Sequence, residues 1–398
     1  MVFSLSHRSP TNHINRVLAM TPDIKKKPDF LKIDFDQSPF IVIWEVTQAC
    51  DLACLHCRAS AQPLRNPLEL TTSDGFKLID QVCEFGSPLL VLTGGDPIKR
   101  PDIYDIIRYA SNKGLRVAMT PSGTPLMTPA VVQNLKHAGL SRLAVSLDGS
   151  HDTLHDTFRQ VPGSYQWTMQ AIQAAHEVGL PVQINTTMTR YNFEDFSDLV
   201  QKMIDLKIAM WSVFFLVPTG RGQEKDELTA DEYEWILNRL YEISRTAPFD
   251  IKTTAAPHYR RVTLQRAKAD GVLKDVKRNG TIGFHIGQDE IGRAAKGVND
   301  GNGFVFISHL GQIFPSGFLP ISAGNVRKDS LVEIYRHSDL FTSLRDPNNL
   351  KGKCGLCEFK NICGGSRARA FAITGDLLEA DPYCAYIPKR AAEIDAQT

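Results

Sequence analysis

The chain has 398 residues, 42% hydrophobic and 22% charged, with a formal net charge of +1. This is the composition of a soluble globular protein with room for one large domain and a smaller one. The near-neutral balance argues against a nucleic-acid binder driven by phosphate neutralisation. No apolar run approaches bilayer-spanning length, and no secretory signal is expected at the N-terminus.

Residues 1–38 are polar and irregular, with Lys25, Lys26 and Lys27 among Pro10, Pro22 and Pro28. They read as a loosely ordered leader whose lysine run is solvated charge. From residue 40 strand-like and helix-like segments alternate. Short apolar runs at 41–46, 88–93, 115–120, 141–147, 181–187 and 211–217 predict buried parallel strands. Helical segments near 72–85, 102–113, 128–138, 165–178, 193–206 and 229–245 follow them in turn. Thr71 and Asp74 form a capping-box variant at the first of these helices. Phe76, Ile79, Val82, Cys83 and Gly86 then recur at helical spacing, which makes Cys83 a core thiol.

Six βα units over 39–250 predict an α/β domain with a parallel sheet and right-handed crossovers. Alternation alone permits either a partial barrel or a doubly wound sheet. In a barrel, catalytic residues belong at the C-terminal ends of the strands. Residues 251–302 are less regular, charged and then glycine-rich, and read as a connection or lid. A strand pair is predicted at Phe304–Ile307 and Gln312–Phe314, turning at His309-Leu310-Gly311. It opens a small C-terminal domain over 303–398.

Cys50, Cys54 and Cys57 follow the first strand as Cys-x3-Cys-x2-Cys. Three thiolates on a short loop can hold three irons of a four-iron four-sulfur (4Fe-4S) cluster and leave the fourth open for chemistry. Zinc knuckles begin Cys-x2-Cys or Cys-x4-Cys, so the x3 gap suits them poorly. Seven of the eight cysteines fall in two ligand-like groups. In a cytoplasmic setting, which the sequence suggests, that favours metal over disulfides. The second group is Cys354, Cys357, Cys363 and Cys384, whose spacing suits a zinc ribbon or a fully ligated cluster. Thr93-Gly94-Gly95-Asp96-Pro97 after the second strand reads as an ordinary strand-to-helix turn or as a close backbone approach to a ligand. Ser122-Gly123, Ser146-Leu147-Asp148-Gly149 and Asn185-Thr186-Thr187 occupy matching rim positions after later strands. There they serve either as turn and cap residues or as ligand contacts.

The string CDLACLHC, with His56 before the last cysteine, resembles the cluster loop of radical S-adenosylmethionine (radical SAM) enzymes. The resemblance spans about 40–390. It implies a partial (β/α)6 TIM-like barrel and a cluster whose open iron is chelated by SAM. Reductive cleavage of SAM then gives a 5'-deoxyadenosyl radical. Gly94-Gly95-Asp96-Pro97 resembles the family's GGE-type motif at the SAM amino group, with Asp96 where Glu is usual. The resemblance implies SAM contacts from Ser122, Ser146, Asp148 and Asn185. It also implies an adenine-contacting segment at Val217–Gly222, where Arg221 meets a carboxylate of SAM or of the substrate.

The segment from Cys354 to Cys384 resembles the SPASM domain or its shortened "twitch" form. Cysteines for a second auxiliary cluster are absent, so one closed auxiliary 4Fe-4S cluster that moves electrons is expected. The GGSRARA segment (364–370) and the single auxiliary cluster resemble the heme-synthase and heme-cofactor branch, which acts on tetrapyrrole side chains, or an uncharacterised sister group that shares these features. Arg221, Arg260, Arg261 and Arg369 are then candidates for propionate binding, and His258 for a substrate iron. A peptide maturase is the alternative, and a non-catalytic iron-sulfur redox sensor a remoter one. An external reductant such as flavodoxin or ferredoxin is implied.

Overall fold

The computed structural model describes residues 33–272 and 297–391. Most of the expected leader, and residues 273–296 of the expected lid, lie outside the described residues.

Eight parallel strands form the body of the molecule. They are β1 (Ile41–Thr47), β2 (Leu89–Gly94), β3 (Arg116–Met119), β4 (Arg142–Ser146), β5 (Val182–Met188), β6 (Met210–Phe215), β7 (Asp250–Thr254) and β8 (Phe304–Ile307). They pair in the order β8-β1-β2-β3-β4-β5-β6-β7. Antiparallel β9 (Gln312–Phe314) and β10 (Gly324–Asn325) extend the sheet beyond β8. The two ends do not pair, so the barrel is partial. The helices of the barrel are α1 (Thr72–Cys83), α2 (Ile103–Asn112), α3 (Pro129–His137), α4 (Asp152–Arg159), α5 (Ser164–Glu177), α6 (Phe196–Asp205), α7 (Ala230–Ser244) and α8 (His258–Ala269). The C-terminal part carries α9 (Leu331–His337), α10 (Asp339–Arg345), α11 (Gly352–Leu356) and α12 (Arg367–Thr374).

The period of two along each strand divides the core. On β1, Val42, Trp44 and Val46 are fully buried in the main hydrophobic core beneath the helices. A Cβ on Gly75 of α1 would lie 2.6 Å from the Trp44 ring, so that helix can settle on β1 only because residue 75 has no side chain. The alternate residues Ile41 and Ile43 meet Leu89, Val91, Ala118 and Phe304 in a separate small cluster. Apolar residues on both faces are what made β1 legible as a buried strand. At the head of α1 the Thr71 side chain accepts from Asp74 N and the Asp74 carboxylate accepts from Thr71 N, each at 3.1 Å, completing the capping box.

Three elements depart from the sequence reading. α4 is inserted between β4 and α5. The stretch read as irregular from 250 begins with a seventh unit, β7 and α8. The predicted hairpin forms, but its first strand, β8, pairs parallel with β1. The expected boundary at 303 therefore falls inside the sheet. The C-terminal part is also fastened from outside. Leu331 N donates to Gln81 Oε1 at 2.7 Å, and Tyr335 Oη donates to Phe35 O at 2.7 Å.

Candidate metal centres and substrate cavity

The cluster loop leaves the end of β1 and is held by the turn after β2. Gly95 N donates to Thr47 O at 2.8 Å and Asp96 N to Ala49 O at 2.6 Å. A Cβ at Gly94 would lie 2.2 Å from Thr47 O, and one at Gly95 2.3 Å from Ala49 O. The two glycines are thus required by the loop that carries the cysteines. The loop is clamped again by the segment after β6. Arg221 donates from Nε to Cys54 O at 2.9 Å and from its backbone N to Cys57 O at 3.0 Å.

Cys50, Cys54 and Cys57 face one cavity of about 1260 Å³, together with Gly94, Gly95, Ser122, Ser146 and Asn185. Hydrogen bonds already point at the sulfurs. Ser122 Oγ lies 3.1 Å from Cys50 Sγ, Leu52 N donates to it at 3.4 Å, and Arg159 Nη1 lies 3.5 Å from Cys54 Sγ. Arg159 also pairs with the fully buried Asp148. Burial opposes its charge, but the Asp148 carboxylate and the Cys54 sulfur hold its pKa above the ordinary arginine value. His56 stacks on Phe158 at 4.4 Å. Burial, then Arg159 and Arg221, push its pKa well below 6.5, so the ring is neutral. His56 Nδ1 and Arg159 Nε are buried without a hydrogen-bond partner, and both residues border this cavity.

Four of the rim residues do not face the cavity as the resemblance implied. Asp96 is fully buried, and its carboxylate accepts from Thr124 Oγ1 at 2.8 Å and Ile98 N at 3.2 Å. Burial raises its pKa. Pro97 starts a short 3-10 turn. Asp148 is spent on Arg159 and on Thr187 N at 2.7 Å, and Arg221 on the cluster loop. All four shape the site from behind.

The second group of cysteines also meets. Cys354, Cys357, Cys363 and Cys384 ring a cavity of about 350 Å³. All eight cysteines are free thiols. Arg367 Nη2 lies 3.8 Å from Cys354 Sγ, and Phe359 N donates to Cys357 Sγ at 3.4 Å. Gly365 has φ +68°, and a Cβ there would sit 3.1 Å from Cys354 Sγ. Burial raises the pKa values of Cys357, Cys363 and Cys384. Among the described residues no three His, Cys, Asp or Glu side chains converge on a single ion. Four cysteines lining one cavity are a donor set that suits a closed cluster.

A family model described as the radical SAM superfamily matches residues 44–203. The AdoMet-dependent heme synthase of Methanosarcina barkeri is 42% identical over 89% of this chain and 99% of its own. The chain belongs to the radical SAM superfamily. More distant relatives include the PqqA peptide cyclase of Bradyrhizobium diazoefficiens, 27% identical over 88% of this chain and 87% of its own. The structure of Streptococcus suis SuiB bound to S-adenosylmethionine covers 88% of this chain and 78% of its own, with TM-score 0.65 and 19% identity. As a radical SAM enzyme the protein uses SAM and a 4Fe-4S cluster. No described helix is long and apolar enough to cross a membrane.

The radical SAM cavity receives none of the arginines singled out for propionates. Arg369 is fully buried; it donates to Leu216 O at 3.0 Å and pairs with Asp381 at 3.2 Å. Arg261 pairs with Glu234 at 2.5 Å. Arg260 lies off the cavity lining, and its burial lowers its pKa to about 10. His258 lines the second cavity instead, 3.4 Å from the Asp381 carboxylate, and burial lowers its pKa to about 4. The residue that sequence reasoning missed is Arg159. Its signal was available: His155, Phe158 and Arg159 share one face of α4 at helical spacing and are all buried.

Proposed function

We propose that this enzyme converts propionate side chains of a tetrapyrrole to vinyl groups by oxidative decarboxylation. Cys50, Cys54 and Cys57 hold the SAM-binding cluster; Cys354, Cys357, Cys363 and Cys384 hold a closed auxiliary 4Fe-4S cluster. When bound, these groups and SAM supply a radical that takes one hydrogen atom from the propionate and an acceptor for the one electron left after carbon dioxide departs. The remaining work falls to the chain. Gly94 and Gly95 bring backbone to the cavity wall, and Ser122, Ser146 and Asn185 present small polar groups to SAM. Arg159 and the neutral His56 close its inner side, and Arg221 and Asp96 fix the loops. An external one-electron reductant such as flavodoxin or ferredoxin restarts the cycle. The free thiols and two clusters suit a reducing cytoplasm.

The observation that carries this reading is the character of the cavity. Cluster cysteines and small polar rim groups line it together with Phe214, Phe304, Phe306 and Phe318. Such aromatic walls suit a large flat ligand. The likeness to heme synthases supports the same class. The test is anaerobic. Reduced protein is mixed with SAM and iron-coproporphyrin, and both 5'-deoxyadenosine and porphyrin mass are followed. Loss of carbon dioxide together with 5'-deoxyadenosine is expected. 5'-Deoxyadenosine beside an unchanged porphyrin would contradict the tetrapyrrole reading and favour a peptide substrate.

A further inference from the structure

We propose that Arg58, oriented by Glu45, is the side chain that receives a carboxylate of the substrate, beside an aromatic wall centred on Phe306. This rests on the tetrapyrrole reading and names the residue that would recognise its propionate.

Arg58 immediately follows Cys57, so the loop that fixes the cluster also fixes this arginine beside it. Its backbone has little freedom: a Cβ on Gly220 would lie 2.3 Å from Arg58 O. The side chain crosses toward β8 and lies over the Phe306 ring, 4.6 Å from its centroid. Nη2 donates to Glu45 Oε2 at 2.5 Å and Nη1 to Gly317 O at 3.3 Å. A guanidinium has five N–H donors in a planar fork. These two bonds leave three, on a side chain that is 20% exposed and lines the cavity.

Glu45 is built to orient rather than to satisfy that arginine. Its other oxygen lies 2.6 Å from His309 Nδ1, so one buried carboxylate is shared between two partners. Burial alone would raise its pKa, but Arg58 and His309 bring it below the usual value, and Glu45 stays ionised.

Arg159, the other guanidinium bordering this cavity, is 9% exposed and held by the fully buried Asp148 carboxylate and the Cys54 sulfur. Arg58, at 20% exposed, is the arginine more open to an incoming anion. Its fork suits a carboxylate, and the neighbouring rings of Phe304, Phe306 and Phe318 suit the flat apolar body to which that carboxylate is attached.

The test measures anaerobic equilibrium binding to the iron-loaded enzyme, followed by the porphyrin Soret band. The ligands are iron-coproporphyrin and its tetramethyl ester, which keeps the macrocycle and removes the charges. The unaltered enzyme is expected to prefer the free acid. Arg58→Gln should weaken acid binding roughly 10–100-fold, as loss of a charge-assisted hydrogen bond implies. It should leave ester binding unchanged, with iron content equal to the parent. Arg58→Lys keeps a charge without the fork and should fall between the two. It also serves as the second variant should the glutamine form lose iron. Equal affinity of the parent for acid and ester, or an Arg58→Gln protein of full iron content that binds the acid like the parent, would overturn the assignment while leaving the tetrapyrrole reading intact. Failure of the unaltered enzyme to bind either porphyrin would overturn both.

Discussion

The first thiolate group and the side chains behind it set what single substitutions should do. Cys54 carries a sulfur contacted by Arg159 and a backbone carbonyl held by Arg221. Cys54→Ala should abolish 5'-deoxyadenosine formation from SAM under reducing conditions; retained cleavage would contradict the assignment of this loop. A second prediction concerns Glu227. It accepts from Tyr233 Oη, lies 3.5 Å from Arg369 Nε, and burial raises its pKa from 4.5 to about 7. The folded state therefore binds more protons than the unfolded state within that interval. Its contribution to stability must fall as pH rises from about 4.5 through about 7, then level off. Glu227→Gln cannot titrate, so denaturant unfolding should show it gaining on the parent between about pH 5.5 and about pH 8. An equal difference at both pH values would contradict this. The cysteines were legible at this scale because ligand spacing is a property of the string itself. Asp96, Asp148 and Arg221 were placed at the correct strand ends, but position on a rim does not fix where a side chain turns. Each found a protein partner instead: Asp96 in Thr124, Asp148 in Arg159 and Thr187 N, and Arg221 in the cysteine loop.

At the scale of elements, the six apolar strands and the helices after them stood out because burial on both faces leaves little room for polar residues. β7 escaped for the opposite reason. Its sequence is Asp-Ile-Lys-Thr-Thr, with three half-exposed polar residues at its end. α8 escaped because His258, Arg260, Arg261, Gln265, Arg266 and Lys268 mask its apolar face; buried Arg261 is neutralised by Glu234 and Arg266 meets Glu242 at 3.1 Å. α4 is a helix of 8 residues between a strand end and a long helix, too short for its apolar period to stand apart. The capping box at α1 was legible because it depends on two residues three apart. Thr71→Ala removes the side-chain acceptor for Asp74 N and should cost about 1 kcal/mol. Chemical denaturation measures it, and an unchanged midpoint at unchanged slope would count against the cap.

For the whole molecule, the decisive feature is that β8 joins β1. A chain read as two successive domains is one sheet, in which the segment after 303 covers the edge of the strand that launches the cluster loop. Sequence could not show this, because parallel pairing across so long a separation leaves no local signature. A fragment of residues 1–302 would bare that edge and lose Phe304 and Phe306 from the cavity wall. It should fail to retain iron after anaerobic reconstitution, whereas a soluble, iron-loaded fragment would contradict the continuity of sheet and site. The same continuity places both cysteine groups on one framework, as a one-electron transfer between them would need.

The central claim is that the cavity presents a propionate to the radical source. The most direct test is to supply iron-coproporphyrin deuterated along its propionate chains to the reduced enzyme with SAM. The account predicts deuterium in 5'-deoxyadenosine together with loss of carbon dioxide from the porphyrin. 5'-Deoxyadenosine free of deuterium beside an intact porphyrin would contradict it.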